Sequence, residues 1–228
     1  MSLRALIVEH ERATPAGLIY DWLEEKGAWV EQLRIDVDDR EVDVTDYDLI
    51  VPLGSEFAAY DDAIAWIPRE MELLRQAVDT DVAVLGICFG GQLLARTLGG
   101  RAFRAEASEI GWLPVRSSDE ELVPEGPWFQ WHFDTFTAPA EAEVLAESDV
   151  GPQAYVVGRS LGVQFHPEVT PQIMEEWVRV YRHELDADGV DPDALLEETR
   201  RRADTARATS RQLLDTYLKR VAKLTAEG

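Results

Sequence analysis

The 228-residue chain has little of several residue types, with a single cysteine, three methionines and four histidines. One cysteine excludes an internal disulfide and a cysteine-rich metal site. Cys88 is therefore either a small core residue or a reactive thiol in a reducing compartment. The histidines lack the spacing of metal ligands, and we predict no metal site.

Long apolar runs are also missing. Residues 82–88 form one of the longest, far short of the roughly 18 to 20 residues that a membrane span needs. Residues 1–4 lack the apolar stretch of a signal peptide. We therefore expect a cytoplasmic protein that does not bind a membrane.

Positive charge is scarce, since the chain has 22 Lys and Arg but 44 Asp and Glu, which gives a formal net charge of −22. This balance disfavours nucleic acid as a partner, because binding phosphates needs a surplus of basic residues. Residues 192–228 alone are mildly basic, with eight basic against six acidic residues. We interpret the rest as a solvated acidic surface; a high-salt habitat and an arginine-rich genome both remain open.

What is present is a globular pattern, with 46% hydrophobic residues. Apolar runs and helical spacing alternate over the first hundred residues, which predicts a doubly wound, mostly parallel α/β sheet of the flavodoxin-like type. The predicted strands are residues 3–8, 29–35, 49–53 and 82–87, and the predicted helices are residues 15–26, 61–78 and 92–98.

The second half begins with short extended pieces and prolines, which predict a small antiparallel addition. These pieces are residues 110–115, 128–131 and 154–157, before a strand at 161–165 and a helix at 171–185. The turn-rich stretch 186–192 divides a domain of residues 1–185 from a helical extension of residues 186–228.

The extension carries a stripe of mostly small or apolar side chains on one helix face. We expect this face to dock on the protein's own body, with contact to a partner or to a second copy in a homodimer as the alternative. The stripe consists of Leu196, Thr199, Ala203, Ala206, Ser210, Leu213, Tyr217 and Val221.

The lone cysteine lies between Gly86 and Gly90, after a buried strand and before a helix. Such a strand-to-helix turn, a nucleophile elbow, exposes its central side chain, and small residues on both sides avoid collisions. The N–H groups at the start of the helix favour a thiolate. A structural core cysteine remains the alternative.

Among the histidines, His166 follows a predicted strand in Gln-Phe-His-Pro-Glu, where Glu168 could hold the imidazole ring. The alternative is a simple strand-ending turn. We predict that His10 and His183 are solvated surface residues and that His132 is structural.

Together, Gly-Ile-Cys-Phe-Gly-Gly-Gln-Leu-Leu-Ala at residues 86–95 and Gln-Phe-His-Pro-Glu at residues 164–168 resemble class I glutamine amidotransferases. The resemblance covers roughly residues 3–185. Segments 51–55, 109–115 and 131–136 look most like the stand-alone GMP synthase-like members.

The resemblance implies a catalytic triad in which Cys88 attacks the glutamine side-chain amide, His166 transfers protons and Glu168 orients His166. It places oxyanion donors at Phe89 and at the turn of Gly54 and Ser55. It also implies glutamine as substrate, ammonia delivery to a partner synthase, and no cofactor.

For Gln92, the resemblance implies a role in holding the substrate, and a helix-surface amide is the alternative. Three departures from the family pattern stand out. The loop reads Gly-Ser-Glu at residues 54–56 where Gly-Gly-Pro is common, Phe133 replaces a small residue, and no synthetase domain follows.

Two other functions remain open at this point. One is hydrolysis of γ-glutamyl or other small amides without an acceptor. The other is a binding or regulatory module that has lost turnover.

Overall fold

The computed structural model describes residues 2–225, which form ten strands and six α-helices. The strands are β1 (Arg4–Glu9), β2 (Trp29–Arg34), β3 (Leu49–Pro52), β4 (Ala83–Ile87), β5 (Arg101–Leu113), β6 (Arg116–Ser117), β7 (Trp128–Thr137), β8 (Glu143–Glu147), β9 (Pro152–Val157) and β10 (Ser160–Val163). The helices are α1 (Gly17–Glu25), α2 (Trp66–Asp79), α3 (Phe89–Thr97), α4 (Pro171–Val180), α5 (Arg182–Asp188) and α6 (Pro192–Thr216).

One eight-stranded sheet organises the molecule, in the order β2-β1-β3-β4-β10-β9-β8-β6. The first five strands in this order, β2, β1, β3, β4 and β10, pair in parallel. The last three strands, β9, β8 and β6, pair antiparallel at one side of the sheet. A separate two-stranded sheet consists of β5 and β7. The predicted α/β class, with a mostly parallel sheet and an antiparallel addition, is confirmed.

The sheet is covered on both faces because successive side chains of a strand point in opposite directions. In β1, Ala5 and Ile7 join a core with Trp22 of α1, whereas Leu6 and Val8 join a second core with Leu74 of α2. All four strand residues are fully buried. This explains the apolar runs that predict the strands.

Some predicted boundaries are wrong. Helix α3 begins at Phe89 rather than residue 92, and the helix predicted over residues 171–185 is two helices separated at Tyr181. Strand β5 starts nine residues before the predicted 110, and the sequence pattern does not predict β8 at all. The first part of β5 is mostly solvent-exposed, so it lacks the apolar alternation that identifies a strand.

The C-terminal helix α6 packs against the protein's own body, as expected. Leu213, Leu214 and Tyr217 are buried in the same core as Trp22 of α1. Ion pairs between α6 and the body lie beside this contact, including Arg207 with Asp21 at 3.1 Å. Exposed pairs each contribute little, so apolar burial dominates the docking. The division at residue 185, which falls inside α5, stays a prediction.

Replacing Leu214 by alanine should lower the free energy of unfolding by about 3 kcal/mol, because a fully buried leucine leaves a cavity where α6 meets the core. Denaturant titration measures this. Thr205, exposed on the same helix, is the matched control, and Thr205→Ala should stay within about 0.5 kcal/mol of wild type. Equal stability of the two variants would show that the helix does not stabilise the body.

Within residues 2–225, no helix has both the length and the apolar character needed to cross a membrane.

Candidate active site

Cys88 lies at the carboxyl end of β4, directly before the first residue of α3. Its backbone has φ 49° and ψ −106°, a positive φ that non-glycine residues rarely adopt. Strain of this kind is typical of functional sites and of the nucleophile elbow. The side chain is 6% exposed yet lines an open cavity, which supports the reactive interpretation over the core interpretation.

The glycines that flank Cys88 are required by close backbone contacts. A Cβ atom on Gly86 would lie 2.7 Å from the carbonyl oxygen of Gly90, and one on Gly90 would lie 2.2 Å from the carbonyl oxygen of Pro52. Neither distance is possible between real atoms. The spacing of glycines around the cysteine therefore reflects how tightly the elbow packs on β3 and β4.

His166 follows β10, the neighbour of β4 in the sheet, so its ring reaches the same sheet edge as Cys88. The backbone N–H of His166 donates to the carbonyl oxygen of Phe129 at 2.8 Å, and Trp177 packs edge-on against the ring. Nδ1 lies 2.7 Å from Oε1 of Glu168, which is 2% exposed. The carboxylate thus fixes the ring orientation.

The other ring nitrogen of His166 is available for proton transfer. Among residues 2–225, no group makes an aligned hydrogen bond to Nε2. The structure brings Cys88, His166 and Glu168 together, as the sequence pattern predicts, with Nδ1 occupied by the carboxylate. Nε2 is then the nitrogen that can serve the thiol or a bound substrate.

Burial disfavours the charged ring of His166, but the negative charges of Glu168 and Cys88 outweigh burial and raise its pKa from 6.5 to about 10. At neutral pH the ring is therefore protonated, and Nε2 carries a proton that it can donate.

This pKa shift predicts a pH dependence of stability. Because the native state holds the proton of His166 more tightly than the unfolded state, the stabilisation is complete below about pH 6.5 and disappears as the pH rises to about 10. The free energy of unfolding of wild type should therefore exceed that of the double variant His166→Gln, Glu168→Gln by more at about pH 6 than at about pH 10. A stability difference between wild type and the double variant that is constant or grows with pH would contradict the raised pKa of His166.

The loop after β3 places Gly54 against both reactive side chains. An added Cβ on Gly54 would lie 3.1 Å from Cε1 of His166 and 3.9 Å from Cβ of Cys88. Among the residues that the structure describes, none accepts a hydrogen bond from the backbone N–H of Gly54, Ser55 or Phe89. The role of these three N–H groups as oxyanion donors stays a prediction.

Gln92 is buried rather than a helix-surface amide, since it is 3% exposed. Its Nε2 donates to Oε1 of Gln164 at 3.0 Å and to the carbonyl oxygen of Asp134 at 3.2 Å. Gln164 in turn donates to Sγ of Cys88 at 3.5 Å. Gln92 therefore supports a residue that contacts the sulfur, a contact that the sequence pattern does not indicate. Its role in holding substrate stays a prediction.

An open cavity of about 200 Å³ lies in front of Cys88 and His166. Phe133 forms part of its wall, as expected from the departure at this position, and Arg104 stacks over its ring at 4.8 Å. Arg104 also lies 3.7 Å from the carboxylate of Asp134, and Tyr60 donates to that carboxylate at 3.3 Å. The cavity therefore presents both a cation and an anion.

The remaining histidines differ in their surroundings. His183 is exposed, as predicted. His132 is buried in β7 with Nδ1 2.9 Å from the carbonyl oxygen of Asp134, in keeping with a structural role. The prediction of a solvated His10 is wrong. It is 1% exposed, and its Nε2 lies 2.8 Å from Oε2 of Glu70.

The fold and the site define an α/β protein with a cysteine at a nucleophile elbow and a carboxylate-bound histidine beside it. The family model for class I glutamine amidotransferases matches residues 16–179. The chain belongs to this family, as its motifs predict.

Named relatives agree with this assignment. Over 144 residues the chain is 38% identical to the glutamine-hydrolyzing GMP synthase of Thermus thermophilus, a match that covers 58% of this chain but only 28% of that relative. It is 30% identical over 155 residues to one of the subunits of the glutamine-hydrolyzing GMP synthase of Sulfurisphaera tokodaii, covering 62% and 77% of the two chains. A crystal structure of a glutamine amidotransferase from Thermotoga maritima superposes with a TM-score of 0.88 at 31% identity, over 96% of this chain and 99% of that one.

Proposed function

We propose that the protein hydrolyses the side-chain amide of glutamine to glutamate and ammonia through Cys88, His166 and Glu168. The observation that carries this proposal is the position of Cys88 on a strained elbow, beside a histidine whose Nδ1 is held by Glu168 at 2.7 Å. The same set could act on other γ-glutamyl amides, which remain the alternative substrates.

In the first half of the reaction, the Cys88 thiolate attacks the amide carbon of glutamine and forms a tetrahedral intermediate. Protonated His166 donates its proton to the amide nitrogen. The C–N bond then breaks, ammonia leaves, and a γ-glutamyl thioester remains on Cys88.

In the second half, neutral His166 takes a proton from a water molecule, which attacks the thioester carbon. The C–S bond breaks, glutamate leaves and Cys88 returns as a thiolate, with His166 protonated again. Throughout, Glu168 holds the ring so that Nε2 faces the reacting atoms.

Both tetrahedral intermediates carry an oxyanion, which we assign to the N–H groups of Phe89 and of the Gly54 to Ser55 turn. The absence of acceptors for these groups within the described residues supports this role. One such donor typically contributes about 3 kcal/mol to the transition state.

The charges in the cavity suit a free amino acid. Glutamine carries an α-carboxylate and an α-ammonium group, and Arg104 and Asp134 offer one charge of each complementary sign. Burial raises the pKa of Asp134, while the guanidinium of Arg104 opposes this effect. A zwitterionic substrate would pair with both Arg104 and Asp134 without adding net charge to the cavity.

The ammonia would pass to a separate synthase. This part of the proposal comes from the relative that is named as one subunit of a GMP synthase. The acceptor substrate would belong to that partner.

The experiment is covalent labelling of the full chain with a chloroketone analogue of glutamine, followed by peptide mass spectrometry. We expect modification of Cys88, protection of Cys88 by added glutamine, and no labelling of Cys88→Ala. Iodoacetamide serves as a reagent that needs no substrate pocket. If iodoacetamide modifies Cys88 but the analogue does not, with or without an added synthase partner, glutamine is not the substrate.

A further inference from the structure

The end of β1 carries two polar residues that the proposed mechanism does not use, His10 and Glu11. Both contact the loop of residues 54–56, which we call the oxyanion loop. Nδ1 of His10 lies 3.0 Å from the carbonyl oxygen of Gly54. Glu11 accepts hydrogen bonds from Oγ of Ser55 at 3.1 Å and from the backbone N–H of Glu56 at 2.8 Å.

His10 can only donate through Nδ1, because a carbonyl oxygen has no proton. Its Nε2 faces the carboxylate of Glu70, which is fully buried in α2. Burial opposes a charge on His10, but Glu70 outweighs it and raises the pKa of the ring. When the ring is protonated, both of its nitrogens are donors, one to the carbonyl oxygen of Gly54 and one to Glu70.

The surroundings of His10 fix its position. Its ring stacks on Trp66 at a centroid distance of 5.0 Å and meets the edge of Phe89 at 4.8 Å. The imidazole is therefore wedged between α2 and the residue after the nucleophile. A buried polar side chain that is hydrogen-bonded at both ends holds the groups it contacts in one geometry, because breaking either bond leaves a buried polar group unsatisfied.

The oxyanion loop needs such support. It lies outside β3 and α2, and its N–H groups at Gly54 and Ser55 have no acceptor among residues 2–225. The contacts of His10 and Glu11 therefore set its conformation. An added Cβ on Gly54 would lie 3.1 Å from the His166 ring and 3.9 Å from Cβ of Cys88, so a change in the conformation of this loop would move its free N–H groups next to the reactive side chains.

We propose that His10 and Glu11 are positioning residues, which hold the oxyanion loop so that its N–H groups face the carbonyl oxygen of the substrate bound at Cys88, with Glu70 anchoring His10. This inference rests on the proposed amidase function and extends it to residues that do not touch the substrate.

A pair of amide substitutions separates the two bonds of His10. The amide nitrogen of asparagine takes the place of Nδ1, so His10→Asn keeps a donor for the carbonyl oxygen of Gly54 and loses the hydrogen bond to Glu70. The amide nitrogen of glutamine takes the place of Nε2, so His10→Gln keeps a donor for Glu70 and loses the hydrogen bond to the carbonyl oxygen of Gly54. Both variants remove the ring and its charge, so a merely structural role would affect them alike.

We expect His10→Gln to lower kcat for glutamine hydrolysis about 100-fold with little change in KM, because a misplaced donor acts on the transition state. His10→Asn should stay within about 10-fold of wild type. Glu11→Ala should also lower kcat, and Glu11→Gln, which keeps an acceptor for Glu56, should restore part of it. Modification of Cys88 by iodoacetamide should proceed at the wild-type rate in all four variants.

A second measurement does not depend on turnover. Hydrogen exchange of the peptide that contains the oxyanion loop should be faster in His10→Gln than in His10→Asn, and faster in Glu11→Ala than in Glu11→Gln. Equal kcat values and equal exchange within each pair would overturn the positioning role. If the wild-type protein releases no glutamate but the variants differ in hydrogen exchange as expected, only the proposed function is contradicted and the positioning role stands.

Discussion

Replacing Cys88 by alanine should lower the rate of glutamate release by about 10⁴-fold or more, because no other group can form the acyl intermediate. Cys88 is the only cysteine in the chain, and the described structure offers no second thiol at the carboxyl edge of the sheet. Steady-state release of glutamate and of ammonia by the full chain, with and without the proposed synthase partner, measures the effect.

The matched control for this prediction is Cys88→Ser, which keeps a nucleophilic atom of similar size at the elbow. A serine hydroxyl is a far weaker nucleophile than a thiolate at neutral pH, so this variant should also be nearly inactive. Both variants should retain the wild-type circular dichroism spectrum. Retention of more than about a tenth of the activity by folded Cys88→Ala would exclude a Cys88 thioester.

The second large effect concerns stability. Gly90→Ala should lower the free energy of unfolding by about 4 kcal/mol, because the new methyl group collides with backbone atoms that cannot move separately. The colliding atoms are the carbonyl group of Pro52, with its oxygen 2.2 Å and its carbon 2.6 Å away. Denaturant unfolding, followed by tryptophan fluorescence, measures the loss.

Gly158→Ala is the control for this effect. Gly158 has φ +59° but no atom within 4 Å of an added Cβ, so alanine there introduces backbone strain without a collision and should destabilise by about 1 kcal/mol. If both variants lose the same free energy, the packing of the elbow on β3 is looser than the structure shows.

Much of the fold follows from local sequence patterns. The strands β1, β3 and β4 are buried on both faces, and their apolar runs are visible without any structure. The first part of β5 could not be found in this way, because most of its residues are exposed to solvent. Tertiary pairing with β7, rather than local pattern, makes that segment a strand.

The candidate site also has a part that the sequence predicts and a part that it does not. Cys88, His166 and Glu168 belong to two short motifs, and each motif follows the end of a strand, so both lie at the same edge of the sheet. His10 belongs to no motif and lies in a polar segment, which suggests exposure. Its position directly after β1 is the available signal, because the carboxyl ends of β1, β3 and β4 meet at this edge.

The partner of His10 could not have been predicted from the sequence. Glu70 lies 60 residues away on α2, and a glutamate in a helix is most often exposed. Only the fold shows that this carboxylate is buried beneath the oxyanion loop. Long-range polar pairs of this kind leave no periodic pattern in the chain.

The central claim is that glutamine hydrolysis passes through a γ-glutamyl thioester on Cys88, and capture of this intermediate by hydroxylamine tests it most directly. With the full chain, glutamine and the proposed synthase partner, added hydroxylamine should divert product from glutamate to γ-glutamyl hydroxamate, while the released ammonia equals the sum of both. Cys88→Ala should form neither product. Glutamate release that continues without any hydroxamate would contradict the account, and so would the absence of both products from the wild-type protein with and without the proposed partner.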